Sequence, residues 1–258
     1  MITGASAGLG AEMARYLAGH EQANLILAAR REERMRALKD ELERDAGVKV
    51  AVVAVDLATP EGCDFLFREA TAIGNIYAIV NNAGMTAYGK TVSSELPLYR
   101  TIVDLNVRAV MTLSLLFLEY FQRKGEGAIL NVTSEAAFTP TPYQNVYAAT
   151  KHAIQSFTDC LRVENRGGGV SICTFVPGGI NTDMISNSGL SATVDRDSFV
   201  NMKPEVAARK AVKAFKKGKA MAIPGCINKL NHVLMWALPR RVKLAMAERF
   251  YRPPQSSE

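Results

Sequence analysis

Apolar segments of strand length alternate along the chain with longer segments that have the periodicity of amphipathic helices. The apolar segments lack polar alternation, which is typical of strands covered on both faces of a sheet. They lie at 24–29, 48–56, 76–82, 127–134 and 170–177. The helical segments lie at 8–20, 31–47, 95–124 and 143–165. This alternation predicts an α/β fold, a doubly wound parallel sheet with helices on both faces in a single domain.

Length and composition agree with one large domain. The chain has 258 residues, 48% of them hydrophobic and 22% charged. We find no apolar run near the roughly 20 residues of a membrane span and expect none to cross a bilayer. Four cysteines are far apart and no secretory signal precedes the first glycine turn, so we expect a reducing, cytoplasmic location.

The net charge of +6 is concentrated in the last part of the chain. Residues 226–258 contain six basic and two acidic residues, so we divide the chain into a main domain, 1–225, and a basic amphipathic extension, 226–258. A basic tail without a nucleic-acid motif argues against nucleic acid as a partner. Two short helix-like stretches around Pro239 favour a subunit contact or a lid, with contact to a membrane surface as the alternative.

A glycine turn, TGASAGLG, opens the first predicted helix. Its glycines allow the backbone to approach a pyrophosphate, whose charge the helix N-terminus would meet. The alternative is an ordinary strand-to-helix turn. Only Met1 and Ile2 precede the motif. A strand this short would leave core side chains uncovered, so we expect the natural chain to begin a few residues upstream.

The end of the second strand bears on cofactor choice. An acidic residue about 20 positions after such a turn would bind a ribose hydroxyl, whereas an arginine would bind a 2′-phosphate. Here the strand ends in Ala28 and Ala29, and Arg30 follows. This arrangement favours NADP(H) over NAD(H). The alternative is that Arg30 and Arg31 begin a solvated helix face.

Four polar residues carry the candidate chemistry. Tyr147 and Lys151 are four residues apart on a predicted helix, so they share one face, where the ammonium is expected to lower the pKa of the phenol. Ser134 ends a strand, and Asn106 is an amide in an apolar helix that needs a buried partner. Taken singly, each has a purely structural explanation. Their joint occurrence with the glycine turn favours a catalytic set.

Other chemistries lack their sequence patterns. The three histidines, His20, His152 and His232, have no metal-ligand spacing, so no metal is expected. A GxSxG nucleophile elbow and a GxxxxGK[ST] phosphate loop are both absent from the sequence. Serine hydrolase and phosphoryl-transfer activities are therefore disfavoured.

With these motifs, the chain resembles the short-chain dehydrogenase/reductase family over nearly its whole length. The matching segments are TGASAGLG, the sequence NNAG at 81–84, the set Asn106, Ser134, Tyr147 and Lys151, and PGGINTDM from Pro177. The resemblance implies a Rossmann fold and an NADP(H) site. The implied cofactor-binding residues are Thr3, Gly4, Ser6, Gly8, Leu9, Gly10, Arg30, Asp56, Leu57, Asn82, Ala83, Gly84, Tyr147, Lys151, Pro177, Gly178, Ile180 and Thr182.

The resemblance also implies a reaction: reduction of a carbonyl, or oxidation of the corresponding alcohol. Tyr147 would be the general acid and Ser134 would hold the substrate oxygen. Lys151 would lower the pKa of the tyrosine and bind the nicotinamide ribose, while Asn106 would position a water. The alternative function is a sensor or scaffold that binds NADP(H) without turnover.

The surroundings of the substrate are less well defined by the sequence. We expect Tyr143 to line the substrate cleft and the segment 180–201 to cover it. The resemblance implies a homodimer or homotetramer built on the helices at 95–124 and 143–165. A weaker likeness of the tail suggests a hydrophobic or acyl ketone as substrate.

Overall fold

Seven parallel strands form one sheet in the order β3-β2-β1-β4-β5-β6-β7. The computed structural model describes residues 1–182, 184 and 201–253, with Trp236 described by its backbone alone. The strands are β1 (Ile2–Thr3), β2 (Leu25–Ala29), β3 (Val50–Ala54), β4 (Ala78–Asn81), β5 (Gly127–Val132), β6 (Val170–Phe175) and β7 (Met221–Ala222).

Helices cover both faces of the sheet. They are α1 (Gly8–Glu21), α2 (Glu32–Ala46), α3 (Pro60–Ile73), α4 (Leu96–Val103), α5 (Ala109–Lys124), α6 (Asn145–Glu164), α7 (Pro204–Lys216), α8 (Cys226–Ala237) and α9 (Arg240–Tyr251). One hydrophobic core joins the sheet to α1, α2 and α7. The other joins it to α3 and α5, where Phe117 and Phe121 are fully buried. The predicted doubly wound parallel sheet is therefore confirmed.

Three elements were missing from the sequence prediction: α3, α7 and β7. The signal for α3 was present, because Thr59 caps the helix by accepting from the Gly62 N–H at 3.2 Å and Pro60 occupies its first turn. Strand β7 has two residues and, as an edge strand, pairs only with β6. So short an apolar stretch cannot be distinguished from a loop by its pattern.

The first strand is as short as the sequence suggested. Ile2 pairs with Leu27 of β2 and with Val80 of β4, and its side chain is fully buried. The amino group of Met1 donates to the Ala78 carbonyl at 2.8 Å. These two residues thus hold the central position of the sheet. The expected upstream residues stay a prediction.

The expectation that no apolar run is long enough for a membrane span overlooked one segment. Within the part of the chain that the structure describes, the helical run Leu96–Lys124 has the length and composition of a span, with a mean hydropathy of 1.6 over its most apolar window. In the fold, 44% of that window is buried. Core helices with one face packed on a sheet meet the same criteria, so the pattern alone does not indicate a span.

Candidate active site

A cleft of about 950 Å³ opens at the carboxyl ends of the strands. This is the edge at which open parallel sheets bind ligands. Nearly all of the predicted cofactor-binding residues line it. They are Gly4, Ser6, Gly8, Leu9, Arg30, Asp56, Leu57, Asn82, Ala83, Gly84, Tyr147, Lys151, Pro177, Gly178, Ile180 and Thr182. The structure thus brings them together, while their individual roles stay predictions.

The remaining two predicted residues, Thr3 and Gly10, lie behind the cleft and shape its turn. The Thr3 hydroxyl accepts from the N–H groups of Asn82 and Ala83, at 3.0 Å each. A Cβ at Gly10 would lie 2.5 Å from the Gly4 carbonyl oxygen, and Gly4 itself has a φ of +66°. No other residue fits either position without displacing backbone. The glycine pattern is therefore required by the packing of the turn.

The start of α1 provides a site for an anion. Its N-cap residue is Ala7, whose side chain cannot accept from the first-turn N–H groups. Uncapped N–H groups at a helix N-terminus carry partial positive charge and bind phosphate. Because this end of α1 lines the cleft through Gly8 and Leu9, the residues fit the pyrophosphate of a dinucleotide cofactor.

Two arginines follow β2 on the wall of the same cleft. The Arg30 guanidinium lies 3.9 Å from the Asp56 carboxylate, too far for a hydrogen bond. The Arg31 Nε donates to the Ser6 hydroxyl at 3.2 Å. Both side chains line the cleft. No sequence motif pointed to Arg31, and its contact with the glycine turn brings it to the wall of the cleft.

The candidate catalytic side chains meet at the end of β5. Lys151 is buried, and its ammonium donates to the Val132 carbonyl at 3.0 Å and lies 5.6 Å from the centre of the Tyr147 ring. The Tyr147 phenol and the Ser134 hydroxyl both line the cleft, and Ser134 is close enough to lower the pKa of that phenol. The Ser134 oxygen accepts from the Ala136 N–H at 3.2 Å, which fixes its orientation. The spacing of four residues therefore places the phenol and the ammonium side by side, as predicted.

The predicted effect on the tyrosine pKa is wrong for the free protein. Burial raises the pKa of Tyr147 above its ordinary value, and only the hydrogen bond with Ser134 opposes this rise. Burial also lowers the pKa of Lys151, to about 8. The sequence spacing indicated that the two groups are close but not that both are desolvated, and desolvation disfavours both charged forms.

Asn106 has the buried partners that its sequence context requires. It lies in a π-helical turn, Asp104–Arg108, between α4 and α5. Its Oδ1 accepts from the Met85 N–H at 3.0 Å, and its Nδ2 donates to the Met85 carbonyl at 2.9 Å and to the Thr150 hydroxyl at 3.1 Å. The amide oxygen and one amide hydrogen thus hold the segment after β4, and the other amide hydrogen bonds to α6. The water-positioning role implied by the resemblance stays a prediction.

Tyr143 does not line the cleft, contrary to expectation. Its hydroxyl donates to the Glu248 carboxylate of α9 at 3.1 Å, so it attaches the tail to the main domain. A different tyrosine, Tyr251 of α9, lines the cleft instead. Burial first, and then the proximity of Tyr147 and Glu135, raise the pKa of Tyr251 to about 12. No sequence motif pointed to Tyr251, because only the fold returns the tail to the site.

The tail therefore forms part of the cleft wall, in agreement with the predicted lid. Both α8 and α9 contribute lining residues, among them Asn231, Met235, Met246 and Phe250. The Tyr88 hydroxyl donates to the Tyr251 carbonyl at 2.9 Å and fastens the end of α9 over the cleft. Of the segment 180–201 that was expected to cover the substrate, residue 183 and residues 185–200 lie outside the described residues.

The pKa of Tyr147 leads to a spectroscopic prediction. In the free protein, the phenol stays protonated beyond its ordinary pKa of 10.0, because burial disfavours the phenolate. The near-ultraviolet phenolate absorbance of wild type minus that of Tyr147→Phe, followed during a pH titration, isolates this group. Tyr143→Phe serves as the matched control. A single phenolate that appears near neutral pH in the difference titration would contradict the assignment.

Comparisons with known proteins agree with this geometry. The family model of the short chain dehydrogenases matches residues 1–192, which include the whole predicted catalytic set. The 11-beta-hydroxysteroid dehydrogenase of Pinus massoniana is 32% identical over 186 residues, 71% of this chain and 51% of that protein. The chain thus spans about half the length of this relative.

Two solved structures of similar architecture contain nicotinamide cofactors. One is a short-chain dehydrogenase from Sphingobium yanoikuyae in complex with NADPH, 25% identical, with a TM-score of 0.81 over 93% of this chain and 96% of that one. The other is a 3-ketoacyl-(acyl-carrier-protein) reductase from Brucella melitensis in complex with NADH, 25% identical, with a TM-score of 0.73 over 86% of this chain and 93% of that one. The family match and the fold show that this chain belongs to the short-chain dehydrogenase family of oxidoreductases.

Proposed function

We propose that this protein is an NADP(H)-dependent oxidoreductase that reduces a carbonyl group or oxidises the corresponding secondary alcohol. The observation that carries the proposal is the Tyr147 phenol beside the Lys151 ammonium and the Ser134 hydroxyl, in the same cleft as the glycine turn. A proton donor and an anion-binding turn on one cleft provide both halves of a carbonyl reduction.

Tyr147, Ser134 and Lys151 have separate roles in the proposed reaction. When bound, the nicotinamide cofactor supplies or accepts the hydride. Tyr147, protonated in the free protein, donates its phenolic proton to the carbonyl oxygen, and the Ser134 hydroxyl holds that oxygen. Lys151, with its pKa of about 8, is mostly cationic at neutral pH and stabilises the phenolate after the proton has left. Its bond to Val132 keeps the ammonium in place.

Substitution of Tyr147 tests the function directly. Tyr147→Phe removes the proton donor and little volume, so kcat/KM for carbonyl reduction falls by about 10²–10⁴-fold while NADPH binding is nearly unchanged. NADPH oxidation with a panel of ketones measures turnover, and fluorescence titration measures binding. The control, Tyr143→Phe, removes a phenol that lies outside the cleft and retains activity.

Two outcomes decide between the functions. Retained turnover in Tyr147→Phe would assign the proton donor to another group, and Tyr251, a second phenol that lines the cleft, would be the first candidate. Tight NADPH binding by the wild type without turnover of any carbonyl would favour the alternative function, a sensor or scaffold that binds the cofactor only.

The preference for NADP(H) rests on the end of β2. Ala29 places no carboxylate there, and Arg30 and Arg31 both line the cleft. A carboxylate at this position would repel a 2′-phosphate, whereas guanidinium groups bind it with charge-assisted hydrogen bonds. The Arg30 side chain is 65% exposed, and its contact with Asp56 is long. The guanidinium can therefore turn to a phosphate at the cost of only one weak ion pair.

Removal of either arginine should weaken NADPH selectively. We expect Arg30→Ala and Arg31→Ala each to weaken NADPH binding about tenfold to a hundredfold, because a charge-assisted hydrogen bond is lost, and to leave NADH binding within a few-fold. Calorimetric titration of both cofactors measures this. Arg36→Ala is the control, since Arg36 bonds with Glu32 on the exposed face of α2. Equal affinities of the wild type for NADPH and NADH would reject the assignment.

The substrate side of the cleft supports a hydrophobic ketone. Met85, Met235, Met246 and Phe250 line it. Members of the family generally act on small molecules and often form oligomers. Exposed apolar side chains on the long helices, such as Leu96 and Leu115, support a homodimer or homotetramer built on this face.

A further inference from the structure

One carboxyl group in the cleft takes no part in the mechanism described above. Glu135 follows Ser134 directly, and its backbone N–H donates to the Pro177 carbonyl at 3.0 Å. Its side chain lines the cleft, where Oε2 accepts from the Asn231 Nδ2 of α8 at 3.3 Å. The other oxygen, Oε1, is buried and has no hydrogen-bond partner among the described residues. The bond from Asn231, which is long, is thus the one side-chain hydrogen bond of this carboxyl group among the described residues.

The surroundings of Glu135 do not compensate for its burial. Burial raises its pKa, with only the Asn231 bond opposing the rise. Across the described ranges, no arginine or lysine forms a salt bridge with it. Buried polar groups in native proteins nearly always have partners, and one left without a partner at a binding site points to a ligand that supplies it.

The position of Glu135 relates it to the reacting centre. It is adjacent in sequence to the hydroxyl that would hold the substrate oxygen, and it is close enough to Tyr251 to raise the pKa of that phenol, as Tyr147 does. The carboxyl group and the proton donor therefore face the same part of the cleft. The wall around them combines apolar side chains such as Met85 and Phe250 with polar ones such as Thr141 and Lys243, and Glu135 contributes the carboxyl group.

We propose that Glu135 and Asn231 form a substrate subsite that binds a hydrogen-bond donor, a hydroxyl or an ammonium group, carried by an otherwise apolar ketone. This inference rests on the proposed function and specifies its substrate class. A site built to bind a polar group discriminates strongly against analogues that lack the group, because its own polar atoms are then left unpaired. Glu135 is in this sense a specificity-determining residue and not a catalytic one.

The competing explanation is structural, since the bond between Glu135 and Asn231 also joins α8 to the turn that holds Ser134. A purely structural link needs Oε2 alone and leaves the burial of Oε1 unexplained. The two explanations make different predictions. Loss of a structural link affects all substrates alike and lowers the melting temperature, whereas loss of a subsite changes the ratio between substrates.

The experiment compares cyclohexanone with its 3-hydroxy, 4-hydroxy and 4-amino derivatives, in wild type, Glu135→Gln and Glu135→Leu. We expect the wild type to prefer a donor-bearing ketone, and Glu135→Leu to reduce that preference by about tenfold to a hundredfold, with the activity on cyclohexanone kept or raised. Glu135→Gln distinguishes the two kinds of donor group. We expect it to keep much of the preference for a hydroxyl-bearing ketone and to lose the preference for an ammonium-bearing one. Glu126→Leu, an exposed glutamate before β5, is the control.

A binding measurement keeps this test separate from the proposed function. Saturation-transfer NMR with cyclohexanol, 1,4-cyclohexanediol and 4-aminocyclohexanol reports on the subsite without turnover. If no ketone is reduced but Glu135→Leu selectively weakens the donor-bearing ligands, the proposed function fails and the subsite stands. An equal effect of Glu135→Leu on all ligands, or a wild type that does not discriminate in either measurement, overturns the subsite.

A second, independent observation concerns the outer face of α8. Leu230, Val233, Leu234 and Ala237 follow the helical spacing of a continuous stripe, yet all four are exposed, Leu230 by 71%. The opposite face of the helix carries Asn228 and Asn231 towards the cleft. The amphipathic pattern is thus inverted, with the apolar face uncovered in the monomer.

Charge indicates what covers this face. Residues 226–253 contain six basic residues and a single acidic one, Glu248, which already bonds with Tyr143 and Arg252. A second copy of the chain seated on the same face would bring two strongly cationic tails together. An anionic surface would instead be attracted by them.

We infer that α8 and α9 contact the surface of an anionic membrane, with the stripe 230–237 inserted among the headgroups. Amphipathic helices with apolar and cationic residues bind membranes in this orientation. Because Met246 and Phe250 of α9 are exposed and also line the cleft, the mouth of the cleft lies beside the contact surface. An apolar ketone dissolved in the bilayer would then reach the site without crossing water.

Vesicle flotation tests the contact. We expect the wild type to float with vesicles of phosphatidylcholine and phosphatidylglycerol, less so at high salt, and not with phosphatidylcholine alone. Leu230→Ser with Val233→Ser should lose flotation and keep turnover of a soluble ketone, whereas Val92→Ser, at an exposed residue outside the tail, should behave as wild type. Absence of flotation overturns the inference. So does a dimer, seen by sedimentation, that the double variant dissociates, since the stripe would then be a subunit interface.

Discussion

A single hydroxyl group, that of Thr3, joins the two turns between which the cofactor cleft opens. It accepts from two N–H groups of the segment after β4 and donates to the Val80 carbonyl at 3.3 Å. The Asn82 side chain returns a bond to the Thr3 carbonyl at 3.0 Å. Because β1 has only two residues, its ladder fixes the glycine turn weakly by itself. The side-chain bonds supply the missing constraint, and the positions of the predicted cofactor-binding residues at the start of α1 depend on them.

Burial determines the protonation of the whole site. Tyr147, Tyr251 and Glu135 all have raised pKa values, and Lys151 has a lowered one. Each shift favours the neutral form of its group. Such a cleft disfavours the negative charge that develops on a carbonyl oxygen during reduction, unless a proton is delivered to it. The raised pKa keeps the phenol protonated but makes it a weaker acid, so in the proposed reduction the Lys151 ammonium has to stabilise the phenolate that proton transfer leaves behind.

The sequence was informative where local pattern determines structure. Uniformly apolar segments predicted five of the strands, and the spacing of four placed Tyr147 and Lys151 on one face of α6. The pattern contained no information on desolvation, so the predicted direction of the shift in the pKa of Tyr147 was wrong. Tyr143 was assigned to the cleft and Tyr251 was missed for a related reason. In the fold, Tyr143 bonds to Glu248 outside the cleft, whereas Tyr251, 108 positions further along the chain, lies in the cleft wall.

The tail shows why its amphipathic pattern could not be interpreted from the sequence alone. In a helix that covers a hydrophobic core, the apolar face points inward, and that convention would bury Leu230 and expose Asn231. The structure has the reverse, because α8 covers a cleft and not a core. A helix that lines a cavity can contribute polar groups that orient a ligand beside its apolar lining, as Asn231 and Met235 do here. The inward Asn231 and the outward Leu230 are thus two consequences of one placement of α8 over the cleft.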